Sequence, residues 1–437
     1  MSRVLNQLKQ LGPTQWLLLA GVFHIVFTLS VFLVGRFGIL PNHFDENGVG
    51  ISFSVDGVVY RRVITDLADT LRQQGLVAWF NSKAPLHCRI YSFSFIFPGN
   101  ILGHNILAAE LFNLIFYLGI LMVVYFLGRE IFDEKVGLLS AVVVAVWPSF
   151  LVHSTQLIRD PISTFFLLGV MLILAMLLRR TLTWKVGIWI TLASIVVLTV
   201  FWAARGNFWN IVQAAVGIAM MLFLLRVWRE RNLLLPNLIL LFVVVATVLV
   251  VPTQIQSTTT SGVKSPTAVI ALPFGLNTSS NTILTRLRNQ ISGRRHGFLK
   301  YQAQGSNIDA DVTFNSDGDI IRYLPRATLI GFFAPFPRMW FGAGVSGHSA
   351  RLLSAMEMLA MYLLYAAAVY CLWRERRKLY AWLIFLTASV GMIALGLVVI
   401  NAGALYRFRF VFWMMMIVLA VKPISDLRFK ISNGRTR

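Results

Sequence analysis

The sequence predicts an all-α integral membrane protein of about ten spanning helices, with two large loops on one face. Three observations predict it. Of 437 residues, 57% are hydrophobic and only 13% charged, and the mean hydropathy is +0.71. Apolar runs of near-spanning length recur along the chain, separated by short basic or polar turns. A bilayer core holds no water, so such runs must close their backbone hydrogen bonds internally as helices, and their continuity does not suit a β-barrel. The Lys and Arg between the runs also divide unequally between the two faces.

The spans are read near 16–35, 105–127, 137–154, 161–178, 186–203, 208–225, 235–252, 350–373, 379–400 and 410–422, the last being the shortest. With the N-terminus inside, the cytoplasmic segments carry 19 of the 39 basic residues, from Arg3 and Lys9 through Arg129, Arg179, Arg180 and Arg226 to the tail after Lys422. The short outer turns hold only Arg159, Arg205, Arg407 and Arg409. This asymmetry places both termini in the cytoplasm, and a bacterial inner membrane fits best. The first apolar run has no cleavage pattern after it and reads as a retained anchor. The chain then divides into 1–252, an N-terminal transmembrane module with a first extracytoplasmic loop at 36–104; 253–349, a second extracytoplasmic loop; and 350–437, the C-terminal helices and a cytoplasmic tail.

The net charge of +21 does not indicate nucleic acid, because no basic block is interleaved with stacking aromatics in a soluble domain. Cys88 and Cys371 fall on opposite faces, so they give no disulfide framework. The histidines show no metal-ligand spacing, and His24 and His153 read as packed or hydrogen-bonded.

Chemistry is expected at the outer face. The first loop opens with His43-Phe44-Asp45-Glu46, then Asp56-Gly57-Val58-Val59-Tyr60. An amphipathic helix follows, with Tyr60, Ile64, Leu67 and Leu71 on one face and Arg61, Arg62, Asp69 and Arg72 towards the other. Such a helix suits the membrane interface. Trp79 and Phe80 come next, and Ala84-Pro85-Leu86-His87-Cys88-Arg89 leads back to the second span.

This order, an Asp-x-x-x-Tyr after the first span, a helix ending at Gly75, a Pro-containing return and a Gly-Asn, resembles the GT-C membrane glycosyltransferases. Within them it is similar to the protein O-mannosyl and aminoarabinose transferase group, glycosyltransferase family 39. The likeness continues through Asn113, Gly128-Arg129-Glu130, Trp147-Pro148-Ser149 and Arg159-Asp160-Pro161, and covers about residues 16–180. An acidic pair before the Tyr is replaced here by Val55-Asp56. The resemblance implies transfer of a sugar from a polyprenyl-phosphate donor to a glycan, lipid or protein acceptor, with inversion. Such a reaction needs one carboxylate to activate the acceptor and cations to hold a phosphate that leaves without a proton.

Asp56 is the first candidate base and Asp45 the second; the other reading of either is a cap on an interfacial helix. Asp160, between Arg159 and Pro161, is the third acid. It reads equally as a functional group or as a local ion pair and N-cap. Arg205, Arg407 and Arg409 lie in short outer turns where positive charge is unexpected, and guanidinium binds phosphate in bidentate fashion; snorkelling to headgroups is the ordinary alternative. Tyr60, His87 and Arg159 complete the substrate-binding candidates.

In the second loop, Arg286, Arg288, Arg294, Arg295 and His296 make a basic stretch suited to an anionic glycan, a pyrophosphate-linked acceptor or headgroups. Asp309-Ala310-Asp311 and Asp317-Gly318-Asp319 do not fit a calcium loop, and nucleotide sugars would lie on the opposite face. No cofactor is required by these patterns; a divalent cation, Mg or Mn, stays open. The run 329–337, broken by Pro335 and Pro337, reads as interfacial or re-entrant. Two rival functions remain: a polymerase or ligase of lipid-linked polysaccharide centred on 286–296, and a non-enzymatic transporter or flippase. The second is disfavoured because a transporter places polar residues at mid-membrane depth.

Overall fold

The computed structural model describes residues 12–40, 43, 44, 51, 55–231, 235–254, 283–300, 306–341 and 347–434. These are helical, with two isolated β-bridges and no longer strand among the described residues. Among the described residues, seven helices are long and apolar enough to cross a membrane, or nine if each of two bent pairs is one span. The chain is an integral membrane protein.

The transmembrane order begins with α1 (Pro13–Arg36). The first loop follows as α2 (Val55–Asn81), α3 (Leu86–Ile96) and a single helical turn at Gly99–Leu102. Then come α4 (Ile106–Ile131), α5 (Glu134–Ala145), α6 (Pro148–Ser154), α7 (Asp160–Arg179), α8 (Trp184–Arg205), α9 (Trp209–Glu230) and α10 (Leu235–Gln254). The second loop contributes α11 (Ile283–Lys300) and α12 (Asp317–Phe333). The chain ends with α13 (Gly347–Arg374), α14 (Leu379–Val398), α15 (Ala402–Phe408) and α16 (Phe410–Gly434).

The 47-residue helical stretch Trp184–Glu230 is about 70 Å of helix, more than twice the hydrocarbon thickness. It folds back at the 3-10 turn Gly206–Phe208. Arg205, at the end of α8, touches Asp160 at the start of α7, whereas Arg226 in α9 donates to the carbonyls of Leu177 and Arg180 at its other end. The two halves therefore run in opposite directions along α7.

The shortest expected span proves to be the middle of the protein. Residues 410–421 of α16 are buried on every side, against α13, α14, α5, α4 and α7. A helix that is apolar all round belongs in such a place. Bent pairs explain the short runs: α5 and α6 meet at 68° before Pro148, and α15 and α16 meet at 53°.

The apolar run 329–337 is helical as far as Phe333, where α12 ends before Pro335 and Pro337. It lies directly on α14, where Gly331 and Gly396 bring the two backbones into contact. A methyl group at Gly396 would strike the Ala327 carbonyl. Gly396→Ala is expected to cost about 1–3 kcal/mol by overpacking, read as a lower melting temperature in detergent; an unchanged one would show that α12 slides freely.

The basic segments grouped as cytoplasmic do gather at one end of the bundle. Arg179 and Arg180 meet Glu130, Lys422 lies 3.3 Å from Asp133, and Arg374 lies 3.1 Å from Asp426. Both cysteines are free and buried.

Candidate functional site

At the opposite end, four elements distant in sequence converge. α7 begins at Asp160, with Arg159 just before it and Pro161 in its first turn, where a missing N–H costs nothing. α8 ends at Arg205. Asn401 caps the short α15 by accepting from the Ala404 N–H, which sets Arg407 on its last turn. α2 brings Asp56 in its first turn.

Arg407 joins the two carboxylates. Its Nη2 donates to Asp56 Oδ2, and its Nε lies 3.3 Å from Asp160 Oδ2. Arg205 Nη1 donates to Asp160 Oδ1 and, at 3.0 Å, to Ser163 Oγ. The Arg205 guanidinium sits between the rings of Phe208 and Phe408, at 4.2 and 4.6 Å, which fixes its plane. Both oxygens of Asp160 are thus engaged by arginine, and the group is buried. The alternative of an N-cap paired with its neighbour Arg159 does not hold. Asp160 is an anchor that gathers two arginines.

Asp56 differs from it. Its side chain is 46% exposed, and only Oδ2 is taken. Burial pushes its carboxyl up, but Arg407 beside it, helped by Arg159, holds it below the usual carboxylate value. Arg159 is 7% exposed, and among the described residues its guanidinium has neither hydrogen bond nor ion pair. A buried guanidinium without a partner is costly, and this one also influences Asp56, Tyr60 and His87. Arg205 Nε and Nη2 are likewise buried without partners. Arg159, Arg205 and Arg407 thus accompany two carboxylates, and Arg205, Arg407 and Asp160 line a small cavity of about 10 Å³ together with Ser163 and Phe208. That is room for about one water.

Tyr60 and His87 pack edge to face with ring centres 4.3 Å apart. His87 is 1% exposed, and burial, reinforced by Arg159, lowers its pKa to about 3. The folded histidine is therefore neutral above that value. Unfolded, it would take a proton near its usual 6.5, so its contribution to stability falls as pH drops from about 6.5 towards 3.

Arg409 does not belong with these groups. It is fully buried and donates to the carbonyls of Gly331 and Ala334, with its guanidinium 4.9 Å from the Trp413 ring. It closes the end of α12. Asp45 lies outside the described residues, as does its neighbour Glu46. The Asp-x-Asp pairs of the second loop serve the fold: Asp309 accepts from Arg326 and Tyr323, and Asp319 completes a capping box with Ser316 at the start of α12. Among the described residues no three His, Cys, Asp or Glu side chains gather as a metal set. Among the described residues, a cation between Asp56 and Asp160 would have to displace Arg407, which reaches both.

Two acids within the spans, Glu357 buried and Glu110 partly buried, escaped the sequence reading. Glu357 of α13 accepts from Trp147 Nε1 at 2.9 Å, the Ser149 N–H at 2.7 Å, Ser149 Oγ at 2.6 Å and the Tyr406 hydroxyl. The indole N–H and the Ser149 N–H can only donate, so each carboxyl oxygen of Glu357 meets an obligate donor, and Tyr406 directly precedes Arg407. Glu357→Gln would turn an amide N–H₂ towards donors. It is expected to cost about 1–3 kcal/mol, read by thermal unfolding, and a stability equal to wild type would disprove the arrangement. Glu110 of α4 accepts from His24 Nδ1 at 2.7 Å and Thr28 at 2.8 Å, tying α1 to the bundle. A lone Glu in an apolar run was the signal for both.

No family model and no curated protein matches the chain. Two crystal structures of the Archaeoglobus fulgidus oligosaccharyltransferase do. The apo form has a TM-score of 0.51 at 14% identity, over 97% of this chain and 52% of that one. The form in complex with Zn and sulfate has a TM-score of 0.49 at 13% identity, over 95% and 50%. The chain spans about half the length of those proteins. At such identity the likeness is one of fold, and the fold is that of the GT-C type.

Proposed function

We propose that this chain is a GT-C type glycosyltransferase that moves a sugar from a polyprenyl-phosphate donor to a glycan, lipid or protein acceptor. It works at the outer face of a bacterial inner membrane, with both termini in the cytoplasm, by a single inverting displacement. The observation that carries this reading is the pairing of one half-exposed, ionised Asp56 with three arginines, Arg159 and Arg205 buried and Arg407 with its side chain 11% exposed, whose charge two carboxylates do not balance. A phosphate bound there would supply the missing negative charge and give Arg159 a partner.

The acceptor oxygen attacks the anomeric carbon while the bond from that carbon to the phosphate oxygen breaks. The acceptor proton goes to Asp56, and the electron pair leaves on the phosphate, held by Arg159 and Arg407. Arg407 is shared between Asp56 and the phosphate. As charge builds on the leaving group it draws away from the carboxylate, which becomes a stronger base when the proton must move. Asp160 keeps Arg205 and Arg407 in place, and the neutral His87 and Tyr60 support the first turn of α2.

Membranes containing the wild-type chain, supplied with radiolabelled polyprenyl-phosphate sugars, should release label to an acceptor, and Arg159→Gln should lose most of that transfer. A broad donor panel without turnover would reject the reading.

A further inference from the structure

The basic stretch of the second loop forms α11, and its arginines divide into two kinds. Arg295 is buried and donates to the Leu397 and Asp309 carbonyls at 3.0 and 2.6 Å, with the Phe314 and Tyr323 rings beside it. Arg288 donates to the Asn315 carbonyl and lies 3.3 Å from Asp317. These two fasten the helix to the fold.

Arg286 and Arg294 do not. Each is partly buried, yet among the described residues neither has a hydrogen bond, an ion pair or an aromatic partner. Burial lowers the pKa of Arg294, with no anion nearby to offset it. Residues 286, 290 and 294 recur every four positions and so share one face of the helix. The middle residue, Gln290, is buried and accepts from Asn210 Nδ2 at 3.4 Å. Asn210 is the second residue of α9, so the two arginines flank the contact between α11 and the start of that helix. The start of α9 adds the positive end of a 22-residue helix. α11 itself carries no acid; Asp309 is held by Arg326 and Asp319 by the start of α12, while Asp317 meets α11 at Thr285 and Arg288 and not at Arg286 or Arg294.

The place matters as much as the charge. Phe208, two residues before Asn210, is the ring stacked on Arg205 and part of the cavity wall. The α9 end of the seam therefore lies two residues along the chain from the cavity wall.

We propose that Arg286 and Arg294, on the seam between α11 and the start of α9, form a second anion subsite that takes the phosphate or pyrophosphate of the acceptor. The assignment to an acceptor rests on the transferase reading above; the anion site does not. Their Cα atoms are about 12 Å apart along the helix, so two long side chains can close on one group from both sides. A donor phosphate would occupy the Arg159 end while the acceptor's anion occupies the seam, and this separation would orient the acceptor hydroxyl towards Asp56.

The chain purified in neutral detergent is titrated with inorganic pyrophosphate by calorimetry, as wild type, Arg159→Gln and Arg286→Gln/Arg294→Gln. Wild type should show two sites. The double variant should weaken one at least tenfold and spare the other, and Arg159→Gln should do the reverse. Because Arg286 and Arg294 hold no partner, the double variant should melt with wild type. A single site removed only by Arg159→Gln overturns the subsite and leaves the transferase reading intact. No effect of Arg159→Gln, with the seam site lost in the double variant, keeps the subsite and rejects the donor-phosphate assignment. In nanodiscs of phosphatidylcholine with added phosphatidylglycerol, retention of the anionic lipid that the double variant abolishes, without any seam site for pyrophosphate, makes the seam a headgroup anchor and overturns the proposal.

Discussion

Asp56→Asn should remove sugar transfer by a factor of about 10²–10⁴, the usual contribution of a general base, while the protein still inserts and melts close to wild type. The asparagine keeps the shape of the side chain and can still accept from Arg407 through its carbonyl, but it cannot take a proton. Because the Asp56 side chain is 46% exposed, solvent screens its bond with Arg407, and the loss of stability should be small. The KM for the donor should change little, since the arginines that would bind phosphate remain. The pH profile gives a second reading. Burial pushes the Asp56 carboxyl up and Arg407 outweighs it, so the folded pKa lies below the usual value. The active ionised form is then present above that value and lost as pH falls through it, and the acid limb should lie below about pH 4. Arg407→Gln removes the charge that holds the pKa down, so whatever activity is left should show its acid limb at higher pH. An acid limb near pH 6–7 in the wild type, or full activity in Asp56→Asn, would remove Asp56 from the role of base.

How far the sequence reaches can be judged from particular residues. The apolar runs specify helices because lipid allows no other solution, and the same constraint makes positive charge collect at one end. Both are local properties and can be read without a fold. Pairing is not local. Asp56 and Arg407 lie 351 residues apart, and nothing in the spacing shows that one arginine serves both Asp56 and Asp160. The sequence supplied Arg407 and Arg409 as equals, yet residues two apart on a helical turn point about 200° apart, and only one can face the site. That signal was available. Glu357 was overlooked for the opposite reason, since a single acid within the 24-residue span Arg351–Arg374 barely changes its hydropathy. The bent helices had to be seen, because neither 402–408 nor 148–154 is long enough to span alone.

Asp160→Asn should be the most destabilising change at the site, at about 3–5 kcal/mol, because it removes one partner of a buried ion pair and leaves the other charge behind. Arg205 and Arg407 have side chains only 4% and 11% exposed, and both reach Asp160. Ser163 and the Phe208 and Phe408 rings would remain around Arg205, but none of them carries a charge. The variant should therefore melt well below wild type in detergent and lose transfer as well. Loss of activity alone would not separate a structural anchor from a catalytic group, so a second variant is needed. Asp160→Leu/Arg205→Met deletes the pair together, and replacing a buried ion pair by apolar groups of similar volume is often neutral or stabilising. It should recover most of the melting temperature lost in Asp160→Asn, although Arg407 keeps only Asp56 as a partner. Transfer should not recover, because Arg407 is no longer held at its second carboxylate and the cluster around the expected phosphate has lost an arginine. Recovery of both stability and transfer would show that the pair serves only the fold. Failure to recover stability, with Asp160→Asn itself melting like wild type, would show that Asp160 does not anchor the arginines at all.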